Sequence, residues 1–455
     1  MRNINYLLIF SIFLWPLISS SQTLDRSLEG YWSGALIRMG NSVQIMRAEI
    51  IRQGDSMVID TSIPDWAHYP PLRSKLKREG DKISFNTYYG KATMMLDTSY
   101  LEMVGKVSQG IPPYNFHLKK SLRPFQPTIL SQDIEIENEG AKISGTLYYP
   151  QRIQGKLNAA VIVHGRGCSP RRYKATRAQK LAEYGIAAFV YDKRGSKPSG
   201  YPCEKSTHDL NVSDVSTIVS EVARHDRIDQ VGLISYSAGG WIASHVTRVS
   251  EIPIAFLITI VGPTTSVLEQ QLDGLEAFLM KEGKKASAIE DAKVYTRLMF
   301  EKDDPKKTFK KMQQLLKKGE ASGWTNWLVE DDYASSPEAI KDMWVQRFSY
   351  DPAEDLEAYK GPYLAIFGEN DPVVPYQKQL ARLEQLMTKS GKTNYVSRVI
   401  PEASHGLEHG PEVRELSKFP GSRTPNYYFK YDRVAYGIYT AMLEFLEDNG
   451  YLKGT

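Results

Sequence analysis

The spacing of apolar residues changes character near residue 130. Before that point, short runs rich in β-branched and aromatic residues are separated by turn signals such as Gly54-Asp55 and Gly80-Asp81. Strands at such short intervals predict a small antiparallel sandwich or barrel. The predicted strands are residues 31–37, 43–51, 57–63, 82–89, 100–107 and 116–119.

Beyond residue 131, apolar runs alternate with helical stretches, after a first hairpin that turns at Glu139-Gly140. Continuous apolar strands separated by helices predict a mainly parallel sheet covered on both faces, which is an α/β fold. The predicted strands are residues 159–163, 187–191, 231–235, 255–261, 363–367 and 395–400. The predicted helices include residues 173–184, 209–225, 240–249, 377–389 and 431–448.

A long helical segment interrupts this alternation between the strand ending at residue 261 and the one beginning at residue 363. A crossover between parallel strands needs only a single helix. The surplus therefore predicts a helical cap over the strand ends, at about residues 264–350. Pro124 and Pro127 mark a linker, which divides the chain into an antiparallel β domain at 22–127 and an α/β domain at 128–455.

The N-terminus has the layout of a secretory signal peptide. Arg2 supplies a positive charge, residues 6–18 are almost wholly apolar, and three serines precede Gln22. That arrangement predicts a signal peptide over residues 1–21, and the apolar stretch is shorter than the roughly 20 residues that span a bilayer. We therefore expect a secreted or periplasmic protein that has no membrane association once the signal is removed.

Composition and charge exclude some classes of partner. Hydrophobic residues make up 42% and charged residues 24% of the 455, so a packed globular core is expected. The formal net charge is only +4, and the densest lysine run, residues 306–318, has the spacing of a solvated helix face. We therefore expect no nucleic-acid partner.

A serine in a short pentad is the candidate nucleophile. A serine hydroxyl needs a base, a group that orients the base, and donors for the developing oxyanion. Ser237 lies in the sequence S-Y-S-A-G, between a predicted strand and a predicted helix, as in a nucleophile elbow. The pattern needs small residues two positions before and two positions after the nucleophile, because strand and helix approach closely there. Ser235 replaces the first glycine of the pattern, and Gly239 is the second.

Asp371 and His405 complete a candidate triad. Asp371 follows the next-to-last predicted parallel strand, and His405 follows the last one. Serine, then aspartate, then histidine is the chain order of α/β-hydrolases. All three residues fall at carboxyl ends of strands, where open α/β sheets place their sites.

The loop after the strand at 159–163 reads His164-Gly165-Arg166-Gly167. We expect the backbone N–H groups of Arg166 and Ala238 to form an oxyanion hole, because glycines on either side of Arg166 let the main chain approach the substrate. His164 is interpreted as a support of this loop rather than a second base.

Two further features concern the neighbouring loop. Asp192 and Arg194, just past the next strand, are predicted to form an ion pair that holds the loops. Cys168 and Cys203 are the two cysteines of the chain, and both follow strands whose ends meet at the same edge of the sheet. They are therefore either a disulfide, as an oxidising compartment allows, or two free buried cysteines.

From about residue 131 to 450 the chain resembles the α/β-hydrolase superfamily, on the motifs H-G-x-G, D-x-R-G, S-x-S-x-G, G-x-x-D and S-H-G. With its N-terminal β domain and helical cap it is similar to secreted bacterial carboxylesterases related to dipeptidyl aminopeptidases and acylaminoacyl peptidases, in which the β domain is lipocalin-like. The resemblance implies hydrolysis of a small carboxylic ester through an acyl-enzyme, with no metal or organic cofactor.

Several alternatives stay open at this point. The core would also suit a serine aminopeptidase or acylaminoacyl peptidase, although about 100 residues of β structure cannot supply the propeller of a prolyl oligopeptidase. An acetyl esterase or thioesterase fits the same motifs. The alternative from another class is a ligand-binding protein with a decayed site, and the complete triad argues against it. Oligomeric state is not indicated by the sequence.

Overall fold

The structure, a computed structural model, describes residues 28–37, 43–62, 71–97, 101–108, 114–121, 129–151, 153–196, 200–401, 403–406 and 436–452. The signal peptide expected at residues 1–21 and the linker expected at Pro124 and Pro127 lie outside these residues. Within the described ranges, no helix combines the length and apolar character that a membrane crossing requires.

The first eight strands form a closed antiparallel barrel in which each strand pairs with the next and β8 pairs with β1. They are β1 Gly30–Ile37, β2 Val43–Gln53, β3 Ser56–Ser62, β4 Leu72–Glu79, β5 Lys82–Thr87, β6 Gly90–Asp97, β7 Glu102–Val107 and β8 Tyr114–Lys120. Large side chains such as Trp32, Phe85 and Phe116 fill the interior. Closure removes the exposed edges of the sheet, and the up-and-down order is that of lipocalins.

The structure thus decides for a barrel over a sandwich, and it adds two strands that the sequence analysis missed. Strand β4 alternates charged outward residues with only two buried ones, Ser74 and Leu76, so its apolar pattern is too short to detect. Strand β6 buries Ala92, Met94 and Leu96. Alanine is depleted in strands and methionine is not enriched in them, so these residues do not indicate a strand. The predicted strand at 82–89 ends at residue 87, where the chain turns into β6.

The second part of the chain forms an eight-stranded sheet in the order β16-β15-β14-β13-β11-β12-β10-β9. Strands β11 to β16 are parallel, and β10 is antiparallel to both of its neighbours. The strands are β9 Ile129–Asn138, β10 Ala141–Pro150, β11 Leu157–Val163, β12 Ala187–Tyr191, β13 Ile228–Tyr236, β14 Leu257–Ile260, β15 Tyr363–Gly368 and β16 Tyr395–Ile400.

Helices cover both faces of this sheet. The helices of the chain are α1 Ala175–Glu183, α2 His208–Ala223, α3 Gly239–Val249, α4 Val267–Lys281, α5 Ala286–Met299, α6 Pro305–Ser322, α7 Trp344–Arg347, α8 Ala353–Ala358, α9 Tyr376–Lys389 and α10 Tyr436–Asp448. Apolar residues of α2, α3, α8 and α9 join one core, and those of α1 and α10 join the other. The predicted α/β architecture is confirmed.

Helices α4 to α7 lie between β14 and β15 in the chain and have a hydrophobic core of their own, built around Tyr295 and Trp324. Trp241 of α3 belongs to the same cluster, and its indole N–H donates to the carbonyl of Thr265 at 2.8 Å. The helical segment expected at 264–350 is therefore a small packed unit that is anchored on the first turn of α3.

A buried ion pair joins the barrel to the α/β part. The guanidinium of Arg47 on β2 donates to one carboxylate oxygen of Glu183 on α1, at 3.1 Å from Nε and 3.0 Å from Nη2. The two side chains are only 5% and 3% exposed. Removing one member of such a pair leaves the other charge desolvated without its partner.

We expect Glu183→Ala to lower the free energy of unfolding by about 3 kcal/mol or more, because Arg47 then loses its carboxylate inside the interface. Urea unfolding of the purified protein measures the change, with Glu79→Ala at an exposed position of β4 as the control. Replacing both Arg47 and Glu183 by leucine should recover much of the loss. A loss no larger than that of the control would contradict the role given to this pair.

Candidate active site

Ser237 occupies a sharp turn between β13, which ends at Tyr236, and α3, which begins at Gly239. Its φ is 51°, a left-handed conformation that non-glycine residues rarely adopt. Two backbone hydrogen bonds hold the turn: Ser237 N–H donates to Ile260 O at 3.0 Å, and Gly240 N–H donates to Ser237 O at 2.8 Å. The turn directs the serine side chain away from the sheet, as in a nucleophile elbow.

The small residues around the serine are required by contact. A Cβ on Gly239 would lie 2.6 Å from the carbonyl oxygen of His164, which is too close for any side chain. Ser235 is fully buried, and its hydroxyl donates to Ile258 O at 3.3 Å. The hydroxyl therefore has a partner inside the sheet, which explains how serine is accommodated where the pattern has glycine.

The three residues of the predicted triad meet in one hydrogen-bonded chain. His405 Nε2 lies 3.0 Å from Ser237 Oγ, and His405 Nδ1 lies 2.8 Å from Asp371 Oδ2. Since an ionised carboxylate only accepts, Nδ1 carries the proton and Nε2 is free to accept one from the serine. The other carboxylate oxygen of Asp371 accepts from the N–H groups of Val373 and Val374, at 2.8 and 2.9 Å.

The loop after β11 lies directly against the nucleophile. A Cβ on Gly165 would lie 3.2 Å from Ser237 Cβ, and Gly167 has a φ of 83°. Arg166 thus lies between two glycines at this point, and Ala238 is the residue that follows the nucleophile. Both are where an oxyanion hole of this fold takes its backbone donors.

His164 connects this loop to the end of strand β12. Its ring is buried, Nε2 donates to the carbonyl of Tyr191 at 2.8 Å, and the ring packs edge-on against the tyrosine ring. Burial lowers the pKa of His164 to about 3, so the imidazole is neutral and fixed by its neighbour. This is the structural arrangement expected for a support rather than a base.

The predicted ion pair between Asp192 and Arg194 is wrong. Arg194 is fully buried and pairs with Asp214 on α2, with 2.8 Å between Nε and Oδ2. Its other guanidinium nitrogens donate to the carbonyls of Asn138 and Glu139, which places the side chain under the β9–β10 hairpin.

Asp192 has a different partner, because it accepts the backbone N–H of Arg171 at 2.8 Å. The sequence did contain a signal for Asp214. The buried face of α2 is mostly apolar, with Val215 and Ile218 among its residues, and an acidic residue on such a face predicts a buried cation nearby.

Cys168 and Cys203 form a disulfide that joins the loop carrying Arg166 to the loop after β12. Gly195 passes beside it, since a Cβ there would lie 2.5 Å from Cys168 Sγ. The bond therefore ties the predicted oxyanion loop to its neighbour, close to the nucleophile.

A pocket lies next to the nucleophile turn, where Ala238 forms part of its wall, and contains about 490 Å³ of empty space, which includes the open solvent at its mouth. Its lining combines aromatic and aliphatic side chains with cations and the disulfide; it comprises Arg166, Gly167, Cys168, Lys193, Cys203, Ser206, Ala238, Trp241, Ile242, Asp331, Trp344, Arg347 and Phe348. The arrangement can therefore hold a mostly apolar group next to the serine and meet a polar end with a charge.

The side chain of Arg166 reaches from the oxyanion loop to the cap. Its guanidinium lies 4.0 Å from the ring of Trp344, and one nitrogen lies 3.7 and 3.5 Å from the carboxylates of Asp331 and Asp332. Asp332 is itself buried and accepts the indole N–H of Trp344 at 2.6 Å. The cap thus holds the residue whose backbone N–H is expected in the oxyanion hole.

Among the described residues, His208, Asp209 and His245 have ligand atoms close enough to share a metal ion. The two imidazoles already have each other as partners, with 3.0 Å between His208 Nε2 and His245 Nδ1, and both stack on Tyr350. Burial lowers the pKa of His208 to about 3. The two histidines and Tyr350 thus form a hydrogen-bonded aromatic stack.

Comparison with known families identifies the second part of the chain. A family model described as "Serine aminopeptidase, S33" matches residues 156–412, which is more than half of the chain and contains Ser237, Asp371 and His405. No curated protein shows significant sequence similarity to the chain.

Solved structures with partial similarity to the chain are found at low sequence identity. Est1E from Butyrivibrio proteoclasticus, solved with ferulic acid, has 14% identity and a TM-score of 0.43, and covers 70% of this chain and 98% of its own. A Pyrococcus furiosus esterase has 15% identity and a TM-score of 0.43, with 70% and 91% covered. The proline iminopeptidase of Mycobacterium smegmatis has 14% identity and a TM-score of 0.42, with 70% and 98% covered. Likenesses at this level carry no argument about substrate.

We expect Asp371→Asn to lower kcat by about 10³-fold or more, because the amide no longer fixes the His405 tautomer or stabilises its imidazolium form. Steady-state kinetics on an activated ester measures the loss, and circular dichroism checks the fold. Glu369→Gln, at a carboxylate two residues away, is the matched control. Near-normal rates for Asp371→Asn would mean that another carboxylate orients the histidine.

The disulfide should contribute to both stability and turnover. The bond closes a separation of 35 residues, for which the chain-entropy estimate is on the order of 4 kcal/mol. We expect replacement of both cysteines by alanine to lower the free energy of unfolding by up to that amount and kcat several-fold. Thiol titration of the unfolded, unreduced protein checks the bond directly; two free thiols per chain would refute it.

Proposed function

The chain belongs to the serine aminopeptidase S33 family of α/β-hydrolases, and from that premise we propose that it hydrolyses carboxylic esters through an acyl-enzyme on Ser237. The observation that carries the proposal is the unbroken chain of hydrogen bonds from Ser237 Oγ through His405 to Asp371, at 3.0 and 2.8 Å. A serine whose proton can pass to an oriented imidazole is an activated nucleophile.

The geometry supports the usual two-step reaction of such a site. His405 Nε2 takes the serine proton while Oγ forms a bond to the ester carbonyl carbon, and the N–H groups of Arg166 and Ala238 stabilise the oxyanion. The tetrahedral intermediate then expels the alcohol, which receives the proton from His405. Water, deprotonated by His405, attacks the acyl-enzyme and releases the carboxylic acid and Ser237.

The charges of the pocket favour an ester over a peptide with a free N-terminus. An aminopeptidase must accommodate the ammonium group of its substrate, which calls for carboxylates near the site. The pocket beside Ser237 is lined by three cations, Arg166, Lys193 and Arg347, and by a single carboxylate, Asp331, that already pairs with Arg166. An ammonium there would meet like charges.

We also propose that the protein acts outside the reducing cytoplasm. The signal-like segment at residues 1–21 motivates this. The Cys168–Cys203 disulfide beside the nucleophile supports it, because such bonds persist in oxidising compartments.

We expect Ser237→Ala to lower kcat for ester hydrolysis by about 10³-fold or more while leaving the fold intact. The measurement uses nitrophenyl esters of increasing acyl length, acetylated sugars and aminoacyl amides. A fluorophosphonate probe should label the wild type and spare the variant. Ser235→Ala is the matched control, because that hydroxyl faces the sheet interior.

Two outcomes would overturn the proposal. Labelling that persists in Ser237→Ala and disappears in Ser235→Ala would reject the nucleophile. Faster turnover of aminoacyl amides than of every ester would reject the esterase assignment in favour of an aminopeptidase.

A further inference from the structure

The pocket beside Ser237 is lined by three cations and, among the residues that the structure describes, by one carboxylate, Asp331. Of its three cations, Arg166 has carboxylates of the cap beside it, at 3.7 and 3.5 Å. Lys193 and Arg347 form no direct ion pair with any residue that the structure describes, although Asp214 acts on Lys193, and Asp331, Asp342 and Glu204 act on Arg347, through longer-range electrostatic attraction. The two other deeply buried cations discussed above, Arg47 and Arg194, each have a carboxylate partner.

Lys193 is the more unusual of the two. The residue is only 2% exposed, yet its ammonium makes a single hydrogen bond to the described residues, to Gly165 O at 2.8 Å. The ring of Phe348 lies 5.8 Å from Nζ. An ammonium has three donors, and a buried lysine is rarely left without an anionic partner. Burial lowers the pKa of Lys193 to about 8, and a bound anion would raise it again.

Arg347 lies next to Phe348 and brings a second cation to the same pocket. Its Nη1 donates to the carbonyls of Cys203 and Ser206, at 3.2 and 2.8 Å, and its Nε donates to Asp342 O at 3.1 Å. These bonds fix the guanidinium, while Nη2 makes no hydrogen bond to the described residues. A fixed guanidinium with a free edge is well suited to accept a carboxylate.

We propose that this pocket binds a carboxylate carried by the ester substrate, held between Lys193 and Arg347 while the adjoining carbon chain packs on Trp241, Trp344 and Phe348. The inference rests on the proposed esterase function and specifies its substrate class: esters that bear a second, ionised carboxyl group. Lys193 is one hydrogen bond away from Gly165, and Gly165 is in contact with Ser237. Lys193 is therefore hydrogen-bonded to the loop that lies against the nucleophile.

The experiment compares esters that differ only in this charge. 4-Nitrophenyl hydrogen glutarate carries the carboxylate on its acyl group, and 4-nitrophenyl methyl glutarate is its neutral counterpart. 4-Carboxyphenyl butyrate carries a carboxylate on its alcohol group, and phenyl butyrate is the neutral counterpart. Hydrogen succinate and hydrogen adipate esters vary the spacing, and Ser237→Ala supplies the background of spontaneous hydrolysis for each.

We expect kcat/KM to be about tenfold or more higher for one carboxylated ester than for its neutral counterpart, the scale of a hydrogen bond to a charged group. Lys193→Met and Arg347→Met should each reduce that ratio about tenfold. The ratio is decisive because Lys193 also holds Gly165, so its loss is expected to lower turnover of both esters. Lys205→Met, at an exposed lysine near Cys203, is the control for the change in net charge and should keep the ratio.

Each result supports or overturns the inference. A ratio near one in the wild type for both pairs of esters overturns it, and so does a high ratio that survives both Lys193→Met and Arg347→Met. If no ester is hydrolysed, the proposed function fails while the inference is still decided by binding. Calorimetry with Ser237→Ala should then detect monomethyl glutarate and not dimethyl glutarate; equal binding of the two would refute a carboxylate site.

Discussion

The backbone of Ser237 holds a φ of 51°, a conformation that costs a non-glycine residue of order 1–3 kcal/mol and persists only where the surroundings enforce it. Here the surroundings are the buried second half of strand β13, the hydrogen bond from Ser237 N–H to Ile260 O, and the glycines at 165 and 239 that let three chain segments approach within contact distance. The rigid parallel sheet thus maintains the turn, and the turn holds the hydroxyl at the sheet edge where the loops after β15 and β16 bring Asp371 and His405.

The buried cations of the scaffold and the cations of the pocket differ in their partners. Two buried arginines of the scaffold each contact a carboxylate. Arg194 pairs with Asp214 under the β9–β10 hairpin, and Arg47 on the barrel pairs with Glu183. At the pocket, the side chains of Lys193 and Arg347 donate only to backbone carbonyls among the residues that the structure describes. Folding gains little from an unpaired buried charge, so a cation left in this state beside a nucleophile is better explained by a substrate than by stability.

The cap contributes more than a cover for the pocket. Asp332 and Trp344 hold the Arg166 side chain from the cap, while the Cys168–Cys203 disulfide holds the same loop from the sheet side. The short segment that carries the predicted oxyanion donor is therefore fixed at both ends before substrate binds. Preorganised donors of this kind stabilise developing charge without a reorganisation cost during the reaction.

The sequence by itself determined the elements and the order of the candidate site, because periodicity and motifs are local properties. The strands at 187–191 and 395–400 have the predicted bounds, and Ser237, Asp371 and His405 could be named from their positions after strands. Strands β4 and β6 escaped detection because β4 buries only Ser74 and Leu76, and because alanine and methionine on the buried side of β6 are not typical of strands. Only the tertiary structure decided the partners of Arg194 and Asp192, the contact of Arg166 with the cap, and the single hydrogen bond that the Lys193 ammonium makes to the described residues. Each depends on which side chains from distant segments share a buried volume, and sequence spacing carries no information about that.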